Sequence, residues 1–148
     1  MDSATLSPRT AGVLGYAGLI PFVLAALMLH GPWPGTALAA QVFIAYGATI
    51  LAFLGGIQWG LALSPGSGRA TERAVVGVLP SLVAWLALLV SAATATIVLA
   101  GGFAALLLWE RVRCPVTGSP WYPGLRARLT AAVLACHAAA LAGIVTSA

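Results

Sequence analysis

Polar breaks divide the chain into five apolar runs, and their lengths predict five membrane-crossing helices. The first run, 11–30, is long enough to cross a bilayer at about 1.5 Å per residue. Pro21 removes one backbone donor inside it and predicts a kink. Gly31-Pro32-Trp33-Pro34-Gly35 then reads as a turn. The second run, 38–63, stops at Ser64-Pro65-Gly66-Ser67-Gly68. From Ala74 to Trp109 no residue is charged. That stretch suits two crossings, and hydrophobicity dips over Ser91-Ala-Ala-Thr-Ala-Thr96, so spans three and four are expected at 74–90 and 95–109. A polar segment from Glu110 to Arg128 follows, its centre Pro120-Trp121-Tyr122-Pro123-Gly124 reading as a turn at the interface. The last span is expected at 129–145. The expected fold is all-α, a polytopic bundle of five transmembrane helices, with a cytoplasmic tail over 1–10 and one membrane domain over 11–148. The first run exceeds the about 7–15 residues of a secretory signal core, so it is expected to stay as a span.

Composition agrees with the pattern. Hydrophobic residues make up 61% of the 148 and charged residues 7%, where a soluble domain carries about a quarter charged. All seven basic residues are arginine, and they lie in the tail or in the segments after spans two and four. In a five-span chain those segments share one side. The excess of cations on cytoplasmic loops then places the N-terminus in the cytoplasm and the C-terminus outside, in a bacterial inner membrane. The net charge of +4 is explained by this asymmetry and calls for no nucleic acid. Cys114 falls in a loop and Cys136 in a span, so no disulfide is expected between them.

The second span looks like the organising helix. Small residues recur at Ala48, Ala52, Gly56, Gly60 and Ser64, a spacing that lets another backbone approach closely. Gln58 points away from Gly56 and Gly60, and an amide facing lipid is costly. It is expected to hydrogen-bond between helices, to Tyr16, Ser81 or a carbonyl freed by Pro21 or Pro80; the sharper alternative is that it binds a ligand. Trp59 and the mid-span Trp85 are candidates for the same site, since a deep indole fills core or stacks on a flat ligand. Trp33, Trp109, Trp121 and Tyr122 read as interface anchors. His30 is expected at the outer interface. His137 is expected to be hydrogen-bonded within the bundle, with single axial ligation of a haem as the sharper alternative; the two imidazoles lie at different depths and do not suit a paired haem site.

Spans one and three both contain a Leu or Ile before Pro, at Ile20-Pro21 and Leu79-Pro80. Spans two and four both contain Thr-Ile followed by Gly-Gly, at Thr49-Ile50 with Gly55-Gly56 and at Thr96-Ile97 with Gly101-Gly102. These matches suggest a duplicated hairpin plus a fifth helix. Glu72 and Glu110 sit at loop edges among arginines, where pairing accounts for them, and no acid is expected within a span. No carboxylate pair, phosphate loop, Cys-x-x-Cys or Ser-His-Asp set appears. The sequence therefore favours a non-catalytic accessory or assembly subunit, needing no cofactor or metal and packing in membrane lipid on other subunits or on itself. The alternative is a carrier or a quinone, haem or lipid binder.

Four segments carry a resemblance: 14–22, 46–60, 77–85 and 120–130. Phe53-Leu-Gly-Gly-Ile-Gln-Trp-Gly60 and Pro120-Trp-Tyr-Pro-Gly-Leu-Arg126 are the most specific. The chain resembles the small multi-span proteins of domain of unknown function 3429, which include the mitochondrial transmembrane protein 69 group. The resemblance covers nearly the whole chain and implies an energy-transducing membrane. It implies no activity. Many members carry His where this chain has Gln58.

Overall fold

A computed structural model describes residues 7–31, 35–64, 69–113 and 119–146. Trp33 and Cys114 lie outside these residues. The described residues form helices α1 (Pro8–Ala17), α2 (Ile20–Met28), α3 (Thr36–Ala62), α4 (Ala70–Ala87), α5 (Ala92–Val112) and α6 (Tyr122–Thr146). The first two run end to end and make one crossing, so five segments are long and apolar enough to span a membrane.

Local chemistry sets the helix ends. Ser7 caps α1 by accepting from the Thr10 amide, with Pro8 in the first turn, where its missing N–H costs nothing. Pro21 stands at the start of α2, and the chain turns through Gly18 and Leu19 before it. The Gly18 carbonyl is taken by the Tyr46 hydroxyl at 2.8 Å. This satisfies a backbone acceptor that would be costly to leave bare in lipid. Pro80 instead sits inside an uninterrupted α4, so the two proline segments of the suggested repeat differ in shape. The dip at 91–96 marks the start of α5 and not the loop. Ser91 caps that helix, the turn lies at 88–90, and the helix runs on past Trp109 to include Glu110.

The outside of the bundle is apolar. Phe53, Trp85 and Leu108 are all more than half exposed. The inside holds Gln58, Arg73, Glu110, Arg126, Thr130 and His137. An apolar exterior around polar contacts is stable when the solvent is hydrocarbon.

At the centre Phe22, Phe43 and Phe103 close on His137, with ring centroids 5.5, 4.8 and 5.5 Å from the imidazole. This brings α2, α3, α5 and α6 together. Helix α4 joins through glycines. Gly55 of α3 lies against the Gly77 carbonyl oxygen of α4, and a Cβ added at Gly77 would meet the Gly55 carbonyl oxygen at 2.9 Å and Trp59 at 2.8 Å. Close packing in this chain thus runs through Gly55, Leu51 and Gly47. Ala48 is buried and Ala52 half-buried, but Gly56 and Gly60 are exposed with open space where a Cβ would stand. The expected stripe is displaced by one residue, about 100° around the helix.

Gly55→Ala should therefore force α3 and α4 apart and lower stability by about 1–3 kcal/mol, the usual cost of overpacking. Gly56→Ala should change the melting temperature of the detergent-solubilised chain little. Equal effects of the two changes would contradict this packing.

Candidate functional site

Four helices meet near their arginine-rich ends through one buried polar network. Gln58 lies four residues before the end of α3, on the face of Leu51 and Gly55. Its Nε2 donates to Glu110 Oε1 of α5 at 2.7 Å. Its Oε1 accepts from Arg73 Nη1 of α4 at 2.8 Å. Arg126 of α6 donates from Nε to Glu110 Oε2 at 3.1 Å and from Nη2 to Oε1 at 3.5 Å. Its Nη1 donates to Thr130 Oγ1, one turn on, at 2.9 Å. Gln58 and Thr130 are 1% exposed, and the three charged members are 7–8% exposed. Charged groups are held at such burial because each is paired and hydrogen-bonded.

These partners replace those expected from the sequence. Gln58 bonds to neither Tyr16, which is half exposed, nor Ser81, which is exposed. The carbonyl opened near Pro21 is used by Tyr46. Glu110 is not a loop-edge acid; it lies within α5 and inside the bundle. Trp85 is 57% exposed on the outer face of α4, so it neither fills the core nor faces the network. Trp59 is 47% exposed and covers Gly77. Trp109 donates its indole N–H to Glu72 at 3.4 Å, and Glu72 also pairs with Arg69 and Arg113. Trp121 and Tyr122 meet edge to face with centroids 6.0 Å apart. His30 is exposed and donates to the Ala139 carbonyl at 2.9 Å.

A cleft of about 210 Å³ adjoins the network. Arg126 and Thr130 line one end of it. Buried Phe22 and Phe103 form its inner wall, while Leu14 and Phe53, 62% and 64% exposed, stand at its mouth. Helix α1 supplies the outer wall. It has no buried residue and rests on α6 where Gly15 meets the Leu129 side chain. Behind the inner wall His137 donates from Nδ1 to the Val133 carbonyl at 2.8 Å, which leaves its buried Nε2 as an acceptor without a hydrogen-bond partner. Among the described residues no three His, Cys, Asp or Glu side chains gather to hold a metal.

Sequence reasoning missed Arg73, Glu110, Arg126 and Thr130. The signal was present on α6: Arg126, Thr130, Val133, His137 and Ala140 recur at spacings of three and four and are all buried. An arginine on the inward stripe of an apolar helix demands an acid at the same depth, and Glu110 supplies it.

These features define a five-span helical membrane protein with a buried ion pair and a lateral cleft. The chain belongs to the family described as protein of unknown function DUF3429, whose model matches residues 7–142. It is similar to Transmembrane protein 69 of Xenopus tropicalis, 37% identical over 131 residues, which cover 84% of this chain and 50% of that protein. Transmembrane protein 69 of Mus musculus is 37% identical over 87 residues, 57% of this chain and 36% of that protein. The chain thus spans half or less of the length of these relatives. No solved structure matches it.

Glu110→Ala should be the most damaging single change in the network. It strands Arg126 without a counter-ion, a loss of about 3–5 kcal/mol for a broken buried pair. Gln58→Leu removes two hydrogen bonds and should cost less, about 1–3 kcal/mol. Gln58→His should be better tolerated, because imidazole still offers one donor and one acceptor. Thermal unfolding in detergent ranks the three, and a Gln58→Leu loss equal to that of Glu110→Ala would refute the pairing scheme.

Proposed function

We propose that this protein binds a lipid-soluble amphipathic molecule, taken sideways from the bilayer into the cleft between α1, α3 and α6, without chemically changing it. The observation that carries this reading is the cleft itself: its walls are apolar, its mouth faces hydrocarbon, and one end is polar. Concave apolar sites with a few convergent polar groups are the usual form of small-molecule sites. The lightly held α1 and the break at Gly18–Leu19 offer the movable wall that lateral entry requires. Orientation and location belong to the same proposal. All seven arginines lie at one end of the bundle, which supports a cytoplasmic N-terminus, a periplasmic C-terminus and a bacterial inner membrane.

A second reading, an accessory subunit packing on a larger membrane complex or on itself, draws on a separate observation. Gly56 and Gly60 are open toward lipid, a surface another helix can approach. One experiment separates the two. Native mass spectrometry of the chain released from mild detergent should show a retained non-protein mass, and Ile50→Trp, which fills the cleft, should remove it while the fold survives. A stoichiometric protein partner with no small molecule would overturn the binding reading.

The orientation has its own check. In a background lacking Cys114 and Cys136, Ser91→Cys should react with an impermeant thiol reagent in intact spheroplasts. Ser119→Cys should react only after the membrane is opened. The reverse pattern would invert the topology.

A further inference from the structure

We infer that the molecule the cleft accepts has an uncharged planar ring bearing a carbonyl, on an alkyl or prenyl tail, a lipid-soluble quinone in chemical class. The inference rests on the cleft being a binding site and adds the identity of the head. Size is the first constraint. A pocket that takes in a whole drug-sized molecule runs to about 300–1,000 Å³, and this cleft holds about 210 Å³. It has room for a head, whose tail runs out between Leu14 and Phe53 into the bilayer. The wall behind the head is aromatic. Phe22 and Phe103 meet edge to face, with centroids 6.2 Å apart and planes at 79°, and a third ring, Phe53, stands at the mouth. Aromatic rings pair well with other flat rings, offset-stacked or edge to face. A planar head uses this wall, and a flexible chain does not.

The polar end decides what the ring carries. Arg126 and Thr130 are the polar side chains that line the cleft among the described residues. A guanidinium has five N–H groups and accepts no hydrogen bond. Arg126 uses three of them on Glu110 and Thr130, so a head placed against it must offer an acceptor. Thr130 accepts from Arg126 at 2.9 Å, and its own hydroxyl is a second donor beside the first. A carbonyl oxygen offers two lone pairs and brings no proton that needs a partner of its own. The pair already present sets the charge. Glu110 lies 3.1 Å from Arg126 and neutralises it. An anionic head would leave water for a guanidinium that already has its counter-ion, and would stand near a second carboxylate. A cationic head would face the guanidinium itself. Depth points the same way. Thr130 lies about 12 Å along α6 from Tyr122, at about 1.5 Å per residue, and an ion carried that far into a membrane loses its hydration. An uncharged head avoids that loss.

A titration of the full chain in mild detergent, read by native mass spectrometry, tests this with four probes of matched tail length: a decyl trimethylbenzoquinone, the corresponding decyl trimethylbenzene, a decylbenzoate and a straight-chain methyl ester. The quinone ring is fully substituted so that it does not add to Cys114 or Cys136. We expect one quinone per chain, held about tenfold or more tightly than the benzene, the worth of one hydrogen bond to a charged donor, and more tightly than the benzoate or the ester. Thr130→Val removes the hydroxyl at nearly constant volume. It should weaken the quinone several-fold and leave the benzene nearly unchanged, while Thr130→Ser keeps quinone binding; melting temperature checks the fold of each. Ile50→Trp should abolish binding of every probe, and Leu129→Trp serves if that variant does not fold. Benzene bound as tightly as quinone overturns the carbonyl, ester bound as tightly overturns the ring, and benzoate bound as tightly overturns the neutral head, while the cleft stands in all three cases. If no probe binds, or if quinone binding survives both cleft-filling changes, the binding reading itself is refuted.

Discussion

The ion pair between Arg126 and Glu110, bridged to Arg73 by Gln58, is the constraint on which the bundle depends. In hydrocarbon no hydrophobic force separates helix from lipid, so polar contacts and close packing must hold the helices together. Removing one member of a charged pair leaves the other charge buried and unpaired, which costs more than the contact itself contributes. The network therefore acts as a register pin. Each of α3, α4, α5 and α6 must present one residue at one depth for all of its bonds to form. A slip of one residue in any of these helices would turn that residue about 100° away.

Packing completes what the polar network begins. The Gly55–Gly77 contact lets α3 and α4 approach backbone to backbone, which places Arg73 beside Gln58. The Phe22, Phe43 and Phe103 rings around His137 fix the opposite half of the core, where the imidazole Nδ1–H is met by the Val133 carbonyl within α6 and the buried Thr96 hydroxyl by the Ala92 carbonyl within α5. The bundle thus has a polar end and an aromatic centre. The cleft lies between them, bounded by α1, the one helix that buries none of its residues. Helices α2 to α6 form the packed frame, and α1 rests on it through Gly15 and Leu129.

Much was legible in the sequence because hydropathy is a local sum. Five spans, the common side of all arginines and the burial of Gln58 needed only window-scale composition and the cost of an amide in lipid. The inward position of His137 was likewise readable from its apolar surroundings. The small-residue stripe was readable as a packing signal, but two stripes overlap on α3. One runs through Ala48, Ala52, Gly56 and Gly60, the other through Gly47, Leu51, Gly55 and Gln58. The more regular one faces outward. Nothing within one helix decides between them, because the decision belongs to the helix that packs there.

The sequence by itself determined the solvent this chain folds in, the number of its crossings and the end at which its charges collect. The tertiary structure alone decided which polar groups meet. Glu110 and Arg126 stand at helix ends, where each is equally at home in water or turned inward, and only three neighbouring helices of matching depth make the inward choice the stable one. The same holds for Trp85, whose bulk suggested core and whose side of α4 happened to face lipid. Local chemistry fixes what each residue requires, whereas partnership depends on helix rotation and depth, and these are set by contacts between residues far apart in the chain.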